Sequence, residues 1–263
     1  SNLVVSNADP VSTFMCLVGV RNIETGFTRR VSNIRMKGNA AKLHLALDGL
    51  PLIDGVDKRE FGDRFVVAQD EVYVEKAFTH AKYGETSAKP VFEINFPSFR
   101  DPGLPPTRKH VMSAVVQYAP RELREGWSDE ARSAFKTLAI ETLSEWMPDL
   151  SGRVTASELL TPEDIEKQFH INGGHWHHGE MALDQFLFTR PIGGFQQYQT
   201  PIEGLYLCGA GTHPGGGISG APGRNAEQVL AELEELARPF AESGELGLRI
   251  SMAVSYTHLT LPT

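Results

Sequence analysis

Apolar and polar side chains alternate in two stretches of the chain, the pattern of a β-strand with one buried face. The first stretch sets three leucines against a mixed face: Leu43, Leu45 and Leu47 against Lys42, His44 and Ala46. The second repeats the alternation with Phe92, Ile94 and Phe96. Residues 1–9 predict the end of a strand, and Val111 to Tyr118 predict another. These strands do not alternate regularly with helices, which favours an antiparallel or mixed sheet.

Two helices are indicated between the strands and the glycine-rich part of the chain. Ser128 is a suitable N-cap for a helix that stops at Pro148. That helix would place four side chains on one side: Phe135, Leu138, Thr142 and Trp146. The segment Thr161-Pro-Glu-Asp164 opens a second helix, with threonine as the cap, proline at the first helical position and acids in the first turn.

The segment from Gly204 to Ala226 carries most of the functional information. A short apolar run, Leu205 to Cys208, meets seven glycines between Gly209 and Gly223. A helix to about Pro239 is predicted next, because apolar residues follow at helical spacing: Ala226, Val229, Leu230, Leu233 and Ala237. Pro222 suits its first turn. This order, a strand, a glycine loop and a helix, predicts a cradle for an anion or for an electron-rich ring edge held by backbone N–H groups.

The glycines contain Gly215-x-Gly217-x-x-Gly220, which alone is a weak dinucleotide signal. The full fingerprint requires a second parallel strand after the helix, and no convincing strand follows here. The loop is therefore expected to complete a nucleotide site that begins elsewhere. A glycine-rich surface loop without a ligand is the alternative.

Composition narrows the class of protein. The 263 residues carry a net charge of −8, and no basic run with interleaved aromatics suggests nucleic-acid binding. Cys16 and Cys208 are too few for a disulfide framework, so a reducing, cytoplasmic location is the default. No apolar run approaches the length of about 20 residues that spans a bilayer. Peripheral membrane contact stays open, as does the oligomeric state.

Other polar residues give weaker indications of a functional site. His175, His177 and His178 form a candidate zinc group, but turn and pocket-lining histidines are commoner, and no metal site is predicted. Asp184 and Arg190 flank Phe186 to Phe188, and a salt bridge beneath a strand is the preferred explanation. His213 is placed either to face a ligand or to pack over the glycine loop.

The segment Gly204 to Gly217 resembles the C-terminal flavin-binding motif of phytoene desaturase-like FAD-dependent oxidoreductases. The resemblance is greatest to the branch of the pyridine nucleotide-disulfide oxidoreductase domain-containing proteins and covers about residues 3 to 238. Further segments carry it: Val4 to Asp9, Ala41 to Pro51, Leu160 to Asp164, Gly173 and Gly174 with His178, and Met181 to Gln185.

This resemblance implies an α/β fold in which an α+β substrate domain interrupts a Rossmann-like FAD domain. Residues 1–9 would end a strand of the FAD domain, 10–200 would form the substrate domain, and 201–239 would return to the FAD domain. The chain would then be the C-terminal half of such a protein. Residues 240–263 are expected to be a tail, non-native from about 252.

The resemblance also implies the cofactor contacts. Gly209, Ala210 and Gly211 would lie beside the ribityl–pyrophosphate arm of FAD. A second set would approach the isoalloxazine ring: Gly216, Gly217, Ile218 and Gly220. The predicted cofactor-binding residues further include His213, Pro214 and Ala221. No residue is identified as catalytic.

The implied activity is dehydrogenation or isomerisation of a hydrophobic small molecule, with hydride transfer to flavin N5. The chain alone is expected to be inactive and to hold FAD poorly. A flavin-fold binding or regulatory protein with little turnover is the alternative. A metal-dependent enzyme that uses the three neighbouring histidines is a weaker third.

Overall fold

The computed structural model describes residues 3–242. The predicted non-native tail from about residue 252 lies outside these residues. Two compact units are present: residues 3–37 with 170–242, and residues 38–169. These limits differ from the predicted domain limits at residues 9 and 200, because long-range contacts join the segment after residue 170 to residues 3–37. The predicted domain division stays a prediction.

Unit 38–169 is built on a five-stranded sheet. Every neighbouring pair is antiparallel, which confirms the expectation from the irregular order of strands and helices. The strands are β2 Ala40–Leu47, β3 Phe65–Val67, β4 Val91–Asn95, β5 His110–Gln117 and β6 Val154–Leu160. Their order across the sheet is β3-β4-β5-β2-β6.

One face of this sheet forms the core of the unit. Leu43, Leu45 and Leu47 are fully buried, as the alternation predicts, and Phe92 and Ile94 of β4 join them. A helix closes the core with three buried side chains: Phe135, Ala139 and Leu143. The residues whose burial stabilises this face of the sheet are thus the ones that the alternating pattern identifies.

The helices of the unit are α2 Glu71–Lys82, α3 Pro97–Arg100, α4 Asp129–Ser144, α5 Leu150–Arg153 and α6 Pro162–Phe169. The predicted cap of α6 is confirmed, because Thr161 Oγ1 accepts from the Asp164 amide at 3.3 Å. The prediction that Trp146 shares one side of α4 with Phe135 is wrong. The helix ends before it, the side chain is 43% exposed, and Leu143 and Met147 fill the core there.

Ser128→Ala is expected to lower the free energy of unfolding by about 1 kcal/mol. The Ser128 hydroxyl accepts from the Ala131 amide at 3.2 Å and satisfies a donor that the first turn of α4 leaves unpaired. Urea unfolding followed by circular dichroism measures the loss. Ser133→Ala, on the exposed side of the same helix, is the matched control. Equal stability of the two variants would contradict the cap.

Unit 3–37 with 170–242 contains two parallel strands, β1 Val4–Ser6 and β7 Leu205–Leu207, paired from Val4 with Leu205. A π-helical segment, Ser12–Gly19, follows β1, and helices α1 Thr25–Ser32 and α7 Ala221–Glu242 complete the unit. Its core is made by Phe14, Phe27, Val31, Ile192, Leu205 and Leu207. Helix α7 passes its predicted end at Pro239 by three residues. Within residues 3–242, no helix combines the length and the apolar character that crossing a membrane requires.

Candidate functional site

The two parallel strands of unit 3–37 with 170–242 end at the same edge, and each leads through a loop into a helical segment. The β7 loop is the glycine loop, residues 208–220, and it leads into α7. The first turn after β7 is tied to β1, because the Cys208 amide donates to the Ser6 carbonyl at 2.8 Å. In parallel sheets, ligands bind outside the carboxyl ends of the strands. The local fold therefore places the glycine loop at a favoured position for a ligand.

The loop after β1 is organised by Asp9, which sequence reasoning did not single out as a site residue. Its buried carboxylate accepts from the Ser12 amide at 2.8 Å and from the Ser12 hydroxyl at 2.5 Å. This is the arrangement of an acidic N-cap, and it stabilises the first turn of the helical segment. An aspartate before proline, directly after a strand, is the sequence signal that could have found it.

Three glycines of the loop are required by contacts within the protein. A Cβ on Gly209 would lie 2.3 Å from the Asn7 carbonyl oxygen, and one on Gly211 would lie 2.4 Å from Pro10 Cδ. A Cβ on Gly216 would lie 2.4 Å from His177 Nδ1. Such separations exclude a larger residue, so these glycines bring the β7 loop against the β1 loop and against the histidine segment.

The end of the loop next to α7 is open. A Cβ on Gly217 or Gly220 would have no neighbour within 4 Å, and both residues have positive φ, +129° and +67°. Ile218 between them is fully exposed and also has positive φ, 58°. Crowding by the protein does not explain glycine at these two positions, and their backbone is accessible to a ligand.

A chain of hydrogen bonds links the middle of the loop to α7. The Tyr198 hydroxyl donates to the His213 carbonyl at 2.8 Å, and Asn225 Nδ2 donates to the Tyr198 oxygen at 2.8 Å. The Arg224 amide donates to the Gly220 carbonyl at 3.0 Å. The predicted residues Pro214 and Ala221 lie within this anchored stretch. All ten predicted cofactor-binding residues thus occur in one loop and the first residue of its helix, and their contact with a cofactor stays a prediction.

Burial disfavours the protonated form of three histidines near the loop: His175, His177 and His178. Burial, and secondly the charge of His177, lowers the pKa of His175 to about 4. Burial also lowers the pKa of His177 and His178. At His178 the Asp9 carboxylate opposes this shift, and the charge of Arg190 lowers the pKa of both side chains. Nδ1 of three side chains has no hydrogen-bond partner within residues 3–242: His175, His178 and His213. No group of three or more His, Cys, Asp or Glu in that range is arranged to hold a metal ion.

The predicted pairing of Asp184 with Arg190 is wrong. Asp184 forms a two-pronged ion pair with Arg35, at 2.6 and 2.8 Å, and Arg190 is buried among backbone carbonyls. The intervening residues are not a strand either, since Leu187–Thr189 forms a 3₁₀ turn. The pairing is set by Arg35, which lies 149 positions from Asp184 in the sequence.

Apolar side chains border the loop. The Phe188 ring is 74% exposed and stacks on the His213 imidazole, with ring centres 5.4 Å apart. Met181 is also exposed, and its Cε lies 3.3 Å from the position of a Cβ on Gly215. Together with Ile218 they place three exposed apolar side chains at the glycine loop. Exposed apolar residues that are grouped in this way, unlike single scattered ones, indicate a binding surface.

Comparison with known proteins agrees with the sequence motifs. No family model matches. Over 241 residues the chain is 35% identical to pyridine nucleotide-disulfide oxidoreductase domain-containing protein 2 of Mus musculus, a match that covers 88% of this chain and 41% of that protein. It is 25% identical to a phytoene desaturase (lycopene-forming) of Paracoccus sp., over 90% of this chain and 45% of the relative. The chain therefore spans less than half the length of these relatives.

Two solved structures are similar in part. An oxidoreductase from Methanosarcina mazei matches with a TM-score of 0.49 and 17% identity, over 89% of this chain and 43% of that one. Cyclohexylamine oxidase from Brevibacterium oxydans matches with a TM-score of 0.49 and 9% identity, over 90% and 43%. On the sequence matches, this chain is similar over most of its length to part of the pyridine nucleotide-disulfide oxidoreductase domain-containing proteins and, at lower identity, of the phytoene desaturases.

Proposed function

We propose that this chain is part of an FAD-dependent oxidoreductase that dehydrogenates or isomerises a hydrophobic small molecule. The observation that carries the proposal is the glycine loop at the carboxyl ends of β1 and β7, with an open face at Gly217 to Gly220 and α7 beginning directly after it. A bound flavin supplies the redox chemistry by accepting a hydride at N5.

The residues present suit such a cofactor. At Gly217 and Gly220 the space that a side chain would fill is free, so the backbone N–H groups can approach a ligand closely. The amides at the start of α7 and its positive dipole end favour the negative charge of a reduced flavin or of a phosphate. Gly209 and Gly211 serve the internal contacts of the loop and would act on the cofactor only through their backbone groups.

The hydrophobic substrate is supported by the apolar side chains beside the loop and by the names of relatives. Met181, Phe188 and Ile218 are exposed there, and apolar surface of this kind favours an apolar ligand. Relatives include phytoene desaturases and one of the limonene dehydrogenase polypeptides of Castellaniella defragrans. The role of these three side chains would be to bind the substrate and to exclude water. A cytoplasmic enzyme with peripheral membrane contact would have access to a hydrophobic molecule of this kind.

The test is flavin content and its response to substrate. The protein expressed from its complete reading frame is expected to purify with the absorption bands of oxidised flavin and to release FAD on denaturation. Those bands should bleach anaerobically on addition of a terpenoid or polyene in detergent. A colourless protein that takes up no FAD would contradict the proposal. A yellow protein that no donor or acceptor reduces or reoxidises would instead support a flavin-binding protein with little turnover.

Ile218→Asp is expected to weaken FAD binding about tenfold, against little change for Ile218→Asn. Both replacements tolerate positive φ and neither removes a packed side chain, since Ile218 is fully exposed. Only the aspartate brings negative charge to the start of α7, where it stabilises the helix but repels an anionic ligand. Titration of the apoprotein with FAD, followed by flavin fluorescence, measures the difference. Equal affinities would place the cofactor away from this helix end.

A further inference from the structure

Arg190 is a buried arginine beside the glycine loop, with 2% of its surface exposed. Its Nε donates to the Ala210 carbonyl at 2.9 Å. The two terminal nitrogens donate to carbonyls of the histidine segment and the turn after it: His177, Gly179 at 3.2 Å, Glu180 at 3.3 Å and Gln185 at 3.2 Å. One guanidinium thus joins the glycine loop to residues 177–185.

This set of acceptors explains why the residue is an arginine. A buried cation is costly unless its donors are satisfied, and the planar guanidinium offers five N–H groups in a fixed fork. The ammonium of a lysine would offer three. Burial lowers the pKa of Arg190 only to about 10, so the group keeps its positive charge at neutral pH.

The charge of Arg190 is not neutralised by a carboxylate. In the part of the chain that the structure describes, no salt bridge includes it, and the nearby carboxylates of Glu180 and Asp184 pair with Arg35. Burial, and secondly the Arg190 charge, lowers the pKa of His177; burial also lowers the pKa of His178, where the Asp9 carboxylate acts in the opposite direction. The Arg190 guanidinium is therefore held beside the glycine loop by backbone carbonyls rather than by a carboxylate.

We propose that Arg190 is a positioning residue that fixes the glycine loop against residues 177–185 and brings beside it a positive charge held by backbone carbonyls, which favours the anionic reduced form of a cofactor bound there. The part that concerns the cofactor rests on the proposed function. The anchoring part concerns contacts within this chain, and it is tested separately.

The experiment compares Arg190→Gln, Arg190→Lys and the control Arg35→Gln in the protein expressed from its complete reading frame. Arg190→Gln removes both fork and charge, and Arg190→Lys keeps the charge at mildly acidic pH while losing the fork. Amide hydrogen exchange of residues 209–217 is expected to accelerate at least tenfold in both Arg190 variants. The preference for reduced over oxidised FAD should fall about tenfold, which is about 30 mV for a two-electron couple, in Arg190→Gln alone.

Each part can fail by itself. Unchanged exchange of the loop in Arg190→Gln would overturn the anchoring, and an unchanged flavin potential in that variant would overturn the role of the charge. An equal shift of the flavin potential in Arg35→Gln would also overturn the role of the Arg190 charge, because Arg35 is already paired with a carboxylate. A wild-type protein without flavin would overturn the proposed function and the role of the charge, while hydrogen exchange still decides the anchoring. If Arg190→Gln does not fold, Arg190→Lys replaces it in both measurements. Its hydrogen exchange tests the anchoring, and its flavin potential at higher pH, where the lysine loses its proton, tests the role of the charge.

Discussion

Gly173→Ala is expected to lower the free energy of unfolding of the unit formed by residues 3–37 and 170–242 by about 2–5 kcal/mol. A Cβ on Gly173 would lie 1.7 Å from the Met36 carbonyl oxygen, so the backbone would have to move apart. Overpacking of this kind costs about 1–3 kcal/mol. Positive φ, here +66°, adds about 1–2 kcal/mol for a residue with a side chain.

The expected consequence is local as well as global. Gly173 begins the turn that leads to His175, His177 and His178, and the last two contact the glycine loop through Gly216 and Gly211. Hydrogen exchange of residues 170–180 and of 209–216 should therefore accelerate together in Gly173→Ala. Gly193→Ala is the matched control, because Gly193 lies in the same unit, has no positive φ and has open space at the Cβ position. Equal stability of the two variants would contradict the crowding at Gly173.

The sheet and the main helices were predictable because their signals are local. The alternation of Leu43, Leu45 and Leu47 needs only neighbours two positions apart, and burial then follows from the period of the strand. The caps Ser128 and Thr161 act within three residues of themselves. The strand–loop–helix at β7 was likewise contained in one continuous segment.

The contacts that shape the candidate site were not predictable, because they join residues far apart in the sequence. Nothing near Asp184 indicates Arg35 as its partner, and the nearest arginine in the sequence, Arg190, was therefore wrongly chosen. In the same way, the need for glycine at position 209 comes from the carbonyl of Asn7. A glycine-rich motif reports that backbone is approached closely, but not whether by a ligand or by the protein itself.

The second large effect is a loss of stability in mild acid caused by His175. Its pKa is lowered from 6.5 to about 4 by burial and by the charge of His177. Between these two pH values the unfolded chain binds a proton at this side chain and the folded protein does not, so the free energy of unfolding falls as the pH falls. The stabilisation is complete above pH 6.5 and is lost progressively down to about pH 4. At about 1.4 kcal/mol for each pH unit, the loss is about 3 kcal/mol.

His175→Asn should flatten this part of the profile, since asparagine is polar and does not take up a proton in this range. The remaining slope is expected to come from His177 and His178, whose pKa values are lowered in the same direction. Urea unfolding at a series of pH values, followed by hydrogen exchange of residues 170–180, separates this unit from residues 38–169. His80→Asn, on α2 in residues 38–169, is the control for loss of an imidazole outside this unit. A profile for His175→Asn as steep as that of the wild type would show that the His175 imidazole takes up its proton as easily in the folded protein as in the unfolded chain.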